Sequence, residues 1–279
     1  MRPLATFKME TTSIIVAYVV CLKLNLIASD ACWRINSREL PYYKLMKSNW
    51  RSNQLIASRT MVQNVNECTK FARVKKALAF NYGLETDRYE WNIGIRNKSK
   101  AGHVCQALEC PDTHNFTTLV QDKNYKYYST YPAFIPTGSN FTLACIPKIG
   151  VFVFSSNNLN YSQAQSACQK MNASIAHIIS DERTNGLGKY ISLNTPTFVG
   201  LSNRNSEMLW KNEYEEPLSC FNYRAWGKGQ PSNSKGCVSL VQPPTSTPGT
   251  FWRVEPCDST LPFICELSPM YRRLNNRRI

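Results

Sequence analysis

The hydrophobic positions of the chain fall into two blocks with different organisation. In the first, Val65, Cys68, Phe71, Ala72 and Leu78 recur at close to helical spacing between Val65 and Phe80, while Arg73, Lys75 and Lys76 lie largely on the other side. This predicts a helix with one face in a core and a wet, basic face opposite. Around it, Asn53–Val62 and Phe116–Tyr128 alternate as half-buried strands do, and Cys105 and Cys110 lie on or near another strand. The second block opens near Phe141. Val151–Phe154 is a short buried strand, and Tyr161, Ala164, Ala167, Cys168 and Met171 share one face of a helix that Asn160 or Ser162 can cap. Asp181–Ile191 predicts another helix, with Ser180 as N-cap and two acids in the first turn, where they suit the helix dipole. Gly186 and Gly188 weaken it locally, so packing has to hold it. Then come Thr197–Leu201, Leu209 and Trp210, a long irregular stretch to Gly236, and the strand-like runs Cys237–Val241, Thr250–Val254 and Pro262–Glu266. The fold class is α+β. Prolines and glycine concentrate between Ser129 and Asn140, which predicts a linker over 129–144 between a domain at 32–128 and one at 145–267.

Cysteine usage fixes the expected compartment. Residues 1–29 carry Arg2 and Lys8, an apolar run from Ile14 to Cys21 and small residues around Ala28 and Ser29, the layout of a secretory signal. Lys23 interrupts the run, and no stretch reaches the ~20 apolar residues that a membrane span needs. Without the leader and its Cys21, ten cysteines remain: Cys32, Cys68, Cys105, Cys110, Cys145, Cys168, Cys220, Cys237, Cys257 and Cys265. An even set on a secreted chain reads as a disulfide framework. A zinc site is not supported, since there is no C-x-x-C and His103, His114 and His177 have no ligand-spaced partner. Sequons at Asn97, Asn115, Asn140, Asn160 and Asn172 fit the same secreted, extracellular reading.

The net charge of +14 is carried mostly outside the second block, with about +7 on residues 30–144, about +1 on 145–267 and +4 on the tail at 268–279. For a secreted chain this excludes nucleic acid and points to anionic glycans, acidic matrix or headgroups, or simply to solubility. The aromatic run Tyr125, Tyr127, Tyr128 and Tyr131 could stack on sugar rings or fill a core. No G-x-S-x-G or H-E-x-x-H signature is present, so an enzyme is not expected.

A helix tied to a short sheet by cysteines resembles the PAN or apple modules of extracellular proteins. The favoured pairing for 32–128 is Cys68 with Cys105 and Cys32 with Cys110, with other connectivities open. The second block carries Cys168 in a helix, FVGL at 198–201, W-x-x-x-Q-P at 226–231, then Cys237, Trp252, Cys257 and Cys265. In that order these resemble the C-type lectin-like domain. The resemblance implies two helices, short antiparallel sheets and a long loop region clamped by disulfides. It also implies bridges Cys168–Cys265 and Cys237–Cys257, and leaves Cys145 and Cys220 to pair with each other.

Sugar-binding members of that family chelate calcium through an E-P-N or Q-P-D triplet, an acid before the third family cysteine and a W-N-D motif. The corresponding positions here hold Gln230, Ser232, Lys235, Arg253 and Val254. Calcium takes six to eight oxygens, and a cation ~4 Å from the ion opposes it by about 4 kcal/mol per charge pair at a dielectric of 20. No cofactor is therefore expected, apart from a weak structural calcium that Asn203, Glu207 and Asn233 could hold. Two functions follow. One is a calcium-independent lectin using Gln230, Ser232, Asn233, Lys235, Arg253 and Glu255 as its loop surface. The other is a matrix or adhesion protein that binds protein partners, with its basic regions on anionic polymer.

Overall fold

The computed structural model describes residues 32, 41–84, 102–133, 138–204, 209–232, 235–245 and 249–271. The leader at 1–29, Asn97, Glu207, Asn233 and the tail beyond residue 271 lie outside them.

The N-terminal unit is a five-stranded antiparallel sheet ordered β1-β5-β3-β4-β2, built from β1 (Lys44–Ser52), β2 (Ile56–Val62), β3 (Ala79–Leu84), β4 (His103–Leu108) and β5 (Leu119–Ser129). Helix α1 (Val65–Val74) buries Cys68 and Ala72 against one face, and Cys68 is bonded to Cys105 of β4. Asn64 caps α1 by accepting from Glu67 N at 3.0 Å. The helix ends earlier than its apolar period suggests, because Lys76 turns into the left-handed region at φ 53° and Ala79–Phe80 enter β3 instead. The tyrosine run fills cores and is no open platform. Tyr127 is fully buried, Tyr131 nearly so, and Tyr128 stacks on Phe80 at 4.7 Å.

The second unit has a four-stranded sheet ordered β6-β7-β12-β8 and a three-stranded sheet ordered β11-β10-β9. Their strands are β6 (Phe141–Ile146), β7 (Gly150–Ser155), β8 (Ala173–Ile175), β9 (Thr197–Ser202), β10 (Cys237–Val241), β11 (Phe251–Glu255) and β12 (Ile264–Leu267). Helix α2 (Tyr161–Lys170) starts at a capping box, in which Asn160 accepts from Gln163 N and Gln163 accepts from Asn160 N. It packs Tyr161, Ala164 and Cys168 into the core. Helix α3 (Asp181–Gly188) is capped by Ser180. This is the C-type lectin-like fold, mixed α+β, with three α-helices among the described residues.

Gly200, in the middle of FVGL, lets β9 pass the backbone of β8 at close quarters. A Cβ there would lie 2.8 Å from the carbonyl oxygen of Ile175 and 3.3 Å from that of Ala176, both main-chain atoms. Gly200→Ala is expected to cost about 1–3 kcal/mol through overpacking, read as a lower denaturation midpoint.

Three expectations are corrected. The stretch 129–144 is not a linker, since Phe141–Ile146 forms β6 and Tyr131 is buried in the lectin-unit core. Thr130 N donates to Leu78 O, Met270 N to Thr130 O, and Tyr42 N to Met270 O, so main-chain bonds stitch the two units together. Cys32 does not pair with Cys110, nor Cys145 with Cys220. The bridges are Cys110–Cys145 and Cys32–Cys220, with Cα separations of 5.9 and 5.5 Å, within the reach a disulfide requires. Leftover cysteines assigned within each unit give the wrong partners because both of these bridges run between the two halves. Cys168–Cys265 and Cys237–Cys257 are bonded as the resemblance implies.

Candidate recognition surface

The surface is built on β11 and the loop that precedes β10. Trp252 anchors it. Its ring is fully buried, with Trp226 and Tyr223 edge-on at 5.3 and 5.4 Å and Trp210 against Trp226 at 5.3 Å. Main-chain bonds lay the loop along β11. Trp252 N donates to Ala225 O at 2.7 Å, and Gly227 N donates to Trp252 O at 3.0 Å. The Gln230 side chain extends the same row, its Oε1 accepting from Val254 N at 2.9 Å and from Ser232 N at 3.2 Å. The Gln230–Pro231 bond is cis.

Alternation along β11 sends Trp252 and Val254 inward and leaves Arg253 and Glu255 half-buried on the other face. Arg253 Nε donates to Glu255 Oε1 at 2.5 Å, an ion pair with the arginine 38% exposed. Ser239 of β10, registered opposite Arg253, donates from its hydroxyl toward Arg253 O and Glu255 Oε1, each at 3.4 Å. Val254 packs under Gly236, where a Cβ would meet Val254 Cγ1 at 2.5 Å and Glu255 O at 2.8 Å.

Of the residues expected on this surface, Gln230 and Ser232 are brought together, as are Arg253 and Glu255. Ser232 and Lys235 are exposed, and Asn233 lies outside the described residues. Ser239 was missed because it sits inside an apolar run, and only the period-two register with Arg253 could have placed it. Of the accessory calcium positions, Asn203 is buried and its main-chain N–H donates to Gly236 O at 2.8 Å. Glu207 and Asn233 are not described. No cluster of three or more His, Cys, Asp or Glu suited to a metal occurs among the described residues.

The Lectin C-type domain profile matches residues 157–267, the segment that holds the three-stranded sheet and this surface. C-type lectin BML-2 of Bungarus multicinctus is 30% identical over 132 residues, which cover 43% of this chain and 79% of that protein. The chain belongs to the C-type lectin family. Rat lithostathine is 29% identical over 140 residues, covering 77% of its length. Mouse CD209 antigen-like protein D is 29% identical over 117 residues, but this C-type lectin spans only 46% of that relative's length. Among solved structures, human lithostathine aligns over 47% of this chain and 99% of its own, at 20% identity and a TM-score of 0.38. No helix among the described residues is long and apolar enough to cross a membrane.

Proposed function

We propose that this C-type lectin is a secreted recognition protein that binds carbohydrate without calcium, through the surface around Arg253. The observation that carries the reading is the engagement of Gln230, whose amide oxygen is spent on Val254 N and Ser232 N. The other positions of the family's sugar-calcium site offer little to a metal. Ser232 supplies one hydroxyl, Lys235 and Arg253 are cations, and Val254 is a buried aliphatic. That donor set does not fit an ion that takes six to eight oxygens. A weak structural calcium near Asn203, Glu207 and Asn233 stays a secondary proposal, with one carboxylate among the three. Five disulfides and the five sequons support secretion, because disulfides form, and sequons can be glycosylated, on the secretory route.

Cationic side chains at the former ligand positions favour acidic sugars. Arg253 presents a guanidinium fork, which suits carboxylate and sulfate oxygens. The expected result on an array of neutral, sialylated and sulfated glycans is retention of the acidic classes by the full secreted protein. Arg253→Ala should weaken that binding by about 10- to 100-fold, the loss of one charge-assisted hydrogen bond. Absence of binding to any glycan would sink the lectin reading.

The second reading is a matrix or adhesion protein that binds protein through the same fold. What favours it is the N-terminal unit, a PAN- or apple-like module in this proposal, in which Lys70 and Arg73 of α1 and Lys75 and Lys76 just after it are all exposed. Such exposed cations suit an acidic polymer of the matrix. No part of either reading calls for catalysis.

A further inference from the structure

In the lectin unit, a cleft of ≈ 320 Å3 opens between β6, β7 and the segment that follows α3, lined by none of the residues of β11. Its size falls at the small end of the ~300–1,000 Å3 range of ligand sites. The floor is aromatic. Phe154 is stacked with Tyr190 at 5.1 Å and 26°, and Tyr190 is 48% exposed, so one ring face is open. The walls carry hydroxyls, among them Thr142, Ser156, Thr195 and Thr197, and no charged side chain lines the cleft among the described residues. Three of these hydroxyls already donate to the main chain: Ser156 to Asn140 O at 3.1 Å, Thr195 to Leu193 O at 3.4 Å and Thr197 to Thr195 O at 3.3 Å. A hydroxyl that has given its proton keeps acceptor capacity, so the walls present acceptors around an open aromatic face.

We propose that this cleft seats a neutral sugar ring, stacked on Tyr190 with its hydroxyls donating to the wall. An uncharged lining gives no purchase on an acidic ligand, and an apolar one would lack the acceptors. Two sources supply that chemistry. One is the chain's own glycan on Asn140, an exposed residue of the sequon Asn140-Phe141-Thr142. Ser156, a lining residue, bonds Asn140 O through both its N–H and its hydroxyl, which puts the attachment point at the rim. Thr142, two residues on and within β6, lines the cleft itself, so the sequon's own hydroxyl residue forms part of the wall. The other source is an external neutral saccharide.

The test uses the full secreted protein in three forms: glycosylated, enzymatically deglycosylated, and Asn140→Gln. Binding of N,N'-diacetylchitobiose to the deglycosylated form is measured by saturation-transfer NMR, and amide exchange is followed over residues 189–197. Binding is expected. Tyr190→Ala should weaken it by about 3- to 10-fold through loss of stacking, and Thr195→Trp, which fills the cleft and keeps Tyr190, should abolish it. If exchange at 189–197 accelerates in Asn140→Gln and added chitobiose reverses this, the occupant is the chain's own glycan. If Asn140→Gln exchanges like the glycosylated form yet chitobiose binds, the occupant is external. Chitobiose binding that is absent, or that survives Thr195→Trp, overturns the proposal. Arg253→Ala should leave these readouts unchanged, so failure here is separable from failure of the β11 surface.

Discussion

Arg183→Met is expected to destabilise the protein by about 3–5 kcal/mol, because it strands a buried carboxylate. Arg183 of α3 reaches Glu266 of β12 in a two-pronged pair, Nη1 to Oε2 at 2.5 Å and Nη2 to Oε1 at 2.9 Å, with side chains only 12% and 18% exposed. The same guanidinium donates to His177 O at 3.2 Å and lies over the Phe152 ring at 5.4 Å. His177 completes the cluster, its main-chain N–H donating to Glu266 Oε2 at 3.1 Å and its Nδ1 facing that oxygen at 3.2 Å, with Tyr214 stacked on the ring. Every prong converges on one carboxylate that joins α3, the segment after β8 and β12. The double replacement Arg183→Met with Glu266→Leu removes both charges, and should recover much of the loss, since well-packed apolar substitutes for a buried pair are often neutral. Urea denaturation of the four proteins of this cycle reads the coupling directly.

The same cluster gives the stability a pH dependence of defined sign. Burial alone would push the Glu266 carboxyl up, but Arg183, and after it His177, outweigh that and hold it well below the usual carboxylate range. A depressed folded value means the unfolded chain binds the proton more readily. The stabilisation is therefore complete above the unfolded-state value of about 4.3, and is lost as pH falls below it. Wild type should lose stability steeply in acid, while the double variant should show a shallower slope over the same range.

The second large effect belongs to the bridge between α2 and β12. Replacing both Cys168 and Cys265 by Ala is expected to cost about 4–5 kcal/mol in the chain-entropy account, for a closed loop of 97 residues. Both residues are fully buried in the core that also holds Tyr161, Ile175 and Phe198, so the loss of packing adds to it. Removing Cys237–Cys257, whose separation is 20 residues, should cost nearer 3 kcal/mol. Denaturation midpoints of the two double variants should fall in that order. The reverse order would show that the small bridge holds more of the irregular region than its loop length suggests.

Most of the lectin unit was legible because its signals are local. Asn160 and Ser180 announce their helices through capping chemistry, and the apolar face of α2 repeats with helical period. The cysteine, tryptophan and proline order carried the fold. What was not legible depends on long-range geometry. β1 was missed because register shifts at Leu45/Lys47 and Ser48/Trp50 break its alternation, and Asn49 sits at φ 65° within one of them. β3 was absorbed into the helical pattern, since Lys76 in the left-handed region is not a residue type that marks a stop. β6 was hidden by the proline- and glycine-rich run before it. Pairing Cys110 with Cys145 and Cys32 with Cys220 needs the relative placement of two units, which no spacing encodes. At the surface, Arg253 and Glu255 were legible as neighbours on one strand face. The engagement of Gln230 by Val254 N was not, because it joins residues 24 apart.

Calcium calorimetry on the full chain, paired with glycan-array binding in calcium and in chelator, tests the central claim most directly. The account predicts no heat of binding at the β11 surface and glycan retention that chelator leaves unchanged. Glycan binding that chelator abolishes, together with a calcium isotherm that Gln230→Ala removes, would contradict it.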